Sequence, residues 1–122
     1  VAVRAIRGAT RLTQDVPEEM AAAVVELLAQ MIDGNDLDRE VIISVLFTAT
    51  PDLRCAFPAA AARGMGLTDV PLMCAQEIDV AGAMPRVIRV MMHAETDRAR
   101  ASIWHPYLRG TDALRSDPEP AT

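Results

Sequence analysis

The chain has no lysine and almost no aromatic side chains. All twelve of its basic residues are arginine, which excludes Schiff-base chemistry and the lysine that pyridoxal phosphate requires. Aromatic residues make up 3% of the sequence against a hydrophobic fraction of 51%, so valine, isoleucine, leucine, methionine and alanine must fill the core. Cysteine is scarce too: Cys55 and Cys74 form no C-x-x-C pair. With no secretory n-region and h-region, the expected setting is a reduced cytoplasm. No run is long enough to span a membrane, so no membrane partner is expected. A net charge of -5 lacks the excess of basic residues that phosphate-backbone binding uses, which argues against a nucleic-acid partner.

Several common sites are missing as well. There is no G-x-G-x-x-G, P-loop, G-x-S-x-G or H-E-x-x-H pattern, so nucleotide and zinc chemistry lack their usual markers. His93 and His105 have no clustered cysteine partners, and no metal site or cofactor is expected. Cys74 on an apolar strand reads as a small core residue, because apolar surroundings raise a thiol pKa.

What is present reads as alternating strand and helix within one 122-residue domain. Val1 to Ala9 is strand-like, with Arg7 on the face of Val3 and Ala5. Asp15 and Glu18 around Pro17 suggest a capping box for a long helix, and Gly34 should end it. Val41 to Phe47 is apolar on both faces, as for a central strand covered on two sides, and Thr50-Pro51-Asp52 is a turn. Pro58 to Gly64 reads as a short helix and Pro71 to Gln76 as a third strand, with a hairpin-like connection through Asp79 to Pro85. Arg86 to Thr96 is the longest strand and places Val87, Arg89, Met91 and His93 on one face. Short extended pieces are expected around Ile103 to Leu108 and Ala113 to Arg115. The sum is an α/β or α+β layer sandwich with a sheet covered on one face by one long helix and a short helix. One long helix cannot cover both sheet faces, so the other face is expected to meet a second subunit.

The arginine at position 89 stands on an apolar strand, where it is either an anion clamp or half of an interfacial ion pair. Glu77 is either a solvated strand end or a site carboxylate, and Tyr107 either packs with Trp104 and Pro106 or donates its hydroxyl. Arg7 is not distinguishable by periodicity from Arg4 and Arg11. These candidates supply fixed cations, one carboxylate and hydrogen-bond donors without an activated nucleophile, leaving electrostatic positioning as the available chemistry.

The blocks Arg4-Ala5-Ile6-Arg7-Gly8-Ala9, Thr48-Ala49-Thr50-Pro51-Asp52-Leu53, Ala56-Phe57-Pro58-Ala59, Gln76-Glu77, Arg89-Val90-Met91-Met92 and His105-Pro106-Tyr107-Leu108 together resemble the trimeric AroH-type bacterial chorismate mutases. The resemblance runs from Arg4 to about Asp117 and implies one domain over residues 1–117, with a polar tail at 118–122. It implies a mixed β-sheet in a trimeric pseudo-α/β-barrel with active sites at subunit interfaces, and rearrangement of chorismate to prephenate without cofactor or covalent intermediate. By resemblance, Arg89 contacts the breaking ether oxygen and a carboxylate, Arg7 and Tyr107 hold the side-chain carboxylate, and Glu77 accepts from the ring hydroxyl. Met73, Cys74, Ala75 and Gln76 would line the same segment. Phe57 and Ala59 would form an apolar wall from the neighbouring subunit, and Leu114 and Arg115 belong to a C-terminal segment that approaches the pocket. Alanine at position 60, where some members carry lysine, and Met73, where others are smaller, are departures that bear on affinity. Rival readings are a trimeric small-metabolite-binding or imine-deaminase-like protein, and a non-catalytic oligomerisation module that buries Arg89 and Glu77 as an ion pair.

Overall fold

The computed structural model describes residues 2–115. The expected boundary at 117 and the tail 118–122 lie outside the described residues. The elements are β1 (Ala2–Arg11), α1 (Pro17–Asp33), β2 (Ile42–Ala49), α2 (Pro58–Gly64), β3 (Leu72–Gln76) and β4 (Val87–Thr96). Short 3-10 turns occur at Arg39–Val41, Arg100–Ser102 and Asp112–Leu114. The last of these replaces the extended piece expected near Ala113 to Arg115. Leu114 N–H donates to Thr111 O and Arg115 N–H to Asp112 O, so local i to i−3 bonds hold this segment rather than a strand partner.

The four strands form one sheet in the order β1-β4-β2-β3. β4 is antiparallel to both β1 and β2, whereas β3 is parallel to β2. The expected hairpin-like link between β3 and β4 is therefore wrong. α2 provides the crossover that a parallel β2–β3 pair needs, and the chain then returns past the end of β2 to insert β4 between β1 and β2.

Helix α1 buries Met20, Ala23, Val24, Leu27, Leu28, Met31 and Ile32, spaced so that one stripe meets the sheet. Each of the larger side chains among them, Ala23 excepted, contributes about 1.5–3 kcal/mol by its burial. The helix lies on the sheet face carrying Ile6, Gly8, Thr10, Val45, Phe47, Ile88, Val90 and Met92, most of which are buried among one another. Gly8 permits this approach: a Cβ there would come within 2.9 Å of Leu27 Cδ1 and Met31 Sδ. β1 runs on to Arg11, past the end expected at Ala9, because Thr10 and Arg11 continue the ladder opposite Ile88 and Val87 of β4.

Both ends of α1 differ from expectation in cause. Its N-cap is Val16, without a side-chain cap. Instead of capping the helix, Asp15 accepts from Arg54 N at 3.0 Å and Cys55 N at 3.1 Å, tying the loop before α2 to the helix start. The reaching-back carboxylate is Glu19, not Glu18, and it accepts from Thr13 N and Gln14 N. Gly34 ends the helix as expected, but at φ −67 rather than in the left-handed region. Glycine is required there because the Trp104 ring packs directly over its Cα. Asn35, 1% exposed, locks this junction by donating to Met31 O and Trp104 O, each at 2.9 Å, and accepting from Trp104 N at 2.8 Å.

The second sheet face carries no helix. β2 is not apolar-buried on both sides: Leu46 is 40% exposed, as is Val3 at 57% and Met73 at 63%, all on this open face.

Candidate active site

A cavity of about 360 Å³ sits on the open sheet face, lined chiefly by Arg7, Thr48, Glu77, Arg89, Met91 and Tyr107. Strand register explains why residues so distant in sequence converge there. Cross-strand partners share a face, and one row runs Tyr107, Ala9, Arg89, Thr48, Ala75 across the sheet. Arg7 stands two residues from Ala9 and Glu77 two from Ala75, so the pleat returns both to the same face.

Tyr107 reaches the row because its segment adds to the outer edge of β1. Ala9 N–H donates to Pro106 O at 3.1 Å and Leu108 N–H to Ala9 O at 2.8 Å, and Thr111 Oγ1 donates to Leu108 O at 2.8 Å. Glu77 extends the β2–β3 ladder by one bond, from its N–H to Ala49 O at 2.9 Å. Its carboxylate accepts a short hydrogen bond from Thr48 Oγ1, and Oε2 lies 3.4 Å from Arg89 Nε. Arg89 is therefore in an ion pair, but not a buried one. Its side chain is 45% exposed and that of Glu77 21%, so the chain alone leaves the guanidinium open to a ligand. The open face has no covering layer within one subunit, which leaves the Arg89 side chain only partly buried.

Arg7 N–H donates to His105 Nδ1 at 2.9 Å. Burial holds the His105 pKa below its ordinary value, and the cationic Arg7 and Arg115 nearby push the same way. The imidazole thus serves as a neutral acceptor that fixes the backbone at Arg7. Arg115 places its guanidinium 5.0 Å from the Tyr107 ring centroid and donates to His105 O at 2.8 Å, a cation–π contact at the edge of the cavity. Leu114 stands beside it, half-buried, without lining the cavity.

The remaining candidates are elsewhere. Phe57, Cys74, Ala75 and Gln76 line a separate cavity of about 620 Å³ beneath the loop that joins β2 to α2. The pleat divides the β3 residues expected along one lining: Met73 and Ala75 share the open face with Leu46 and Thr48, while Cys74 and Gln76 pair with Phe47 and Ala49 on the helix side. Met73 lines neither cavity. Phe57 is 72% exposed, but Ala59 is 5% exposed and packs in its own subunit's core, so its side chain is no surface wall. Among the described residues no group of three or more His, Cys, Asp or Glu could hold a metal ion, and no helix is long and apolar enough to cross a membrane.

Thr48 was not singled out as a site residue by sequence. Its signal was available: it alternates with Leu46 on β2, whose other face carries Val45 and Phe47.

The model for "Chorismate mutase type I" matches residues 3–118. The chain belongs to the type I chorismate mutases. It is 45% identical to the chorismate mutase AroH of Thermus thermophilus over 120 residues, covering 98% of each chain. With the AroH protein of Bacillus subtilis (strain 168) it shares 41% identity over 116 residues, 94% of this chain and 91% of that one. A solved chorismate mutase from Clostridium thermocellum superposes with a TM-score of 0.88 at 48% identity, covering 90% of this chain and 98% of the other. The enzyme is an isomerase of this family, and its mixed four-stranded sheet with two helices matches that of the solved relative.

Proposed function

We propose that the enzyme rearranges chorismate to prephenate, toward phenylalanine and tyrosine, by holding the reactive conformer and stabilising the ether oxygen as its bond to carbon breaks. The observation that carries this reading is the convergence of Arg7, Arg89, Glu77 and Tyr107 on one cavity of the open sheet face.

The substrate is a flexible dianion. Two guanidinium groups on separate strands fix its carboxylates, so orientation that costs entropy in water is set at binding. As the ether C–O bond lengthens and the new C–C bond forms, the oxygen gains negative charge. Arg89 stabilises that charge more in the transition state than in the ground state. The Glu77 contact through Nε turns the terminal nitrogens toward the ligand, and the same carboxylate accepts from the substrate's ring hydroxyl. Thr48 keeps that carboxylate in place. No proton transfer, nucleophile or cofactor enters the reaction.

The working form is a homotrimer with active sites between subunits, in the cytoplasm. The exposed apolar side chains Leu46, Met73 and Phe57 support subunit contact, as does a site cavity that is open on one side. The edge cavity bearing Phe57, Cys74 and Gln76 would then complete a neighbour's site.

The test is direct. Protein dialysed against chelator and mixed with chorismate should consume it and yield prephenate at the rate of undialysed protein. Unchanged chorismate, or activity lost on dialysis, would contradict the proposal.

A further inference from the structure

A second cavity, of about 540 Å³, lies where β1 ends and β4 begins, lined by Arg11, Leu12, Thr13, Glu19, Arg86 and Arg109. Three guanidinium groups and one carboxylate line it, an excess of two positive charges in a chain whose net charge is -5. The carboxylate is already engaged. Glu19 accepts from Thr13 N at 2.6 Å, Thr13 Oγ1 at 2.9 Å and Gln14 N at 3.0 Å, so its oxygens serve the start of α1 and do not neutralise the arginines by direct pairing.

The arginines are incompletely used. Arg86 Nε donates to Leu12 O at 2.9 Å, and Arg109 Nε pairs with Glu26 at 3.1 Å. The Arg11 guanidinium has no hydrogen-bond or ion-pair partner among the described residues, while its backbone lies opposite Val87 in the β1–β4 ladder. Moreover, Arg86 and Arg109 hold φ of 56 and 53, a left-handed backbone where glycine is less strained than a residue with a larger side chain. Two of the three non-glycine residues with positive φ in the described chain are thus arginines of this one cavity.

We propose that this cavity is a second anion-binding site, distinct from the sheet-face cavity, for a small metabolite bearing two carboxylates or a phosphate. Guanidinium forks bind either group through paired, charge-assisted hydrogen bonds. Each of the three segments that supply an arginine here also supplies a residue to the sheet-face cavity: Arg11 lies four residues from Arg7, Arg86 three from Arg89, and Arg109 two from Tyr107. An anion bridging the three arginines would therefore tie together the strands that carry the first site.

Inorganic phosphate and malonate, titrated calorimetrically into the full chain, test the proposal without reference to turnover. Failure here leaves the chorismate reading standing, and the reverse also holds. Arg89→Ala should keep the binding that Arg11→Gln weakens, because Arg89 is outside this cavity; any anion held at the sheet-face cavity is lost from Arg89→Ala instead. Arg11→Gln should weaken binding about tenfold, the loss of one charge-assisted contact. The second variant, Arg86→Gly, suits the left-handed backbone, so it should keep the fold by circular dichroism while weakening binding to a similar degree. Tighter phosphate binding assigns a phosphorylated metabolite and tighter malonate binding a dicarboxylate; either supports the site. Absence of binding by both anions at tens of millimolar, or binding lost in Arg89→Ala and retained in Arg11→Gln, would overturn it.

Discussion

Replacing Thr48 by valine keeps the shape of the side chain and removes one hydroxyl. That hydroxyl is the donor to Glu77 Oε2, and the same oxygen lies 3.4 Å from Arg89 Nε. A hydrogen bond to a charged group is worth about 1.5–3 kcal/mol. The Glu77 side chain is 21% exposed, so water replaces part of the lost bond and the lower end applies. About 1.5 kcal/mol corresponds to about a tenfold loss of kcat/KM. The fall should appear mainly in kcat, since in the proposed mechanism the carboxylate and Arg89 act on charge that develops during rearrangement. Steady-state loss of chorismate would measure it, with Thr48→Ser as the control that keeps the donor. Wild-type kinetics for Thr48→Val, or a Thr48→Ser variant as slow as the valine variant, would refute the reasoning.

Three further outcomes follow from the fold. Asn35→Ala removes three hydrogen bonds of a buried side chain, one to Met31 O and two to the Trp104 backbone, and should cost about 3 kcal/mol, read as a lowered urea midpoint at fixed protein concentration. Thr10→Val should stabilise by about 1 kcal/mol in the same assay, because Thr10 is fully buried and its Oγ1 has no hydrogen-bond partner among the described residues. His105 has a folded pKa below its ordinary 6.5, so the unfolded chain takes up a proton that the folded chain resists. Its contribution to stability is complete above pH 6.5 and is lost as pH falls toward and through the folded pKa. His105→Asn, which offers an acceptor to Arg7 N–H without titrating, should flatten the decline between pH 7 and 5 in denaturant melts. An unaltered slope would remove His105 from the account.

The helices were legible from periodicity and breakers. Prolines 17 and 58 sit at the first helical positions, and glycines 34 and 64 mark the ends. The face of β4 that carries Arg89 followed from simple alternation. Strand order did not follow, because pairing of β4 between β1 and β2 depends on contacts far apart in the chain. For the same reason, a local reading linked β3 to β4 as neighbours. The capping residue was misassigned by one turn position: Asp15 had a stronger use in binding the Arg54 and Cys55 amides, leaving Glu19 to the backbone of Thr13 and Gln14.

At the site, charge type was readable and placement was not. Arg7 could not be separated from Arg4 and Arg11 by pattern alone. The parallel bridge between Ala9 and Tyr107 and the register of Ala9 with Arg89 bring Arg7 to the first cavity and leave Arg11 in the second. The resemblance to a known family supplied roles for Arg89 and Glu77 that periodicity left open between clamp and ion pair. The geometry shows the ion pair and leaves the same guanidinium exposed; the clamp is the role proposed for it.

The central claim is that Arg89 stabilises charge on the ether oxygen during rearrangement. Single-turnover conversion of chorismate to prephenate by Arg89→Ala, compared with wild type at saturating substrate, tests it most directly. Loss of a preorganised transition-state donor predicts a drop of about 3 kcal/mol or more, at least about a hundredfold in rate. A folded Arg89→Ala enzyme that turns over chorismate at near the wild-type rate would contradict the account.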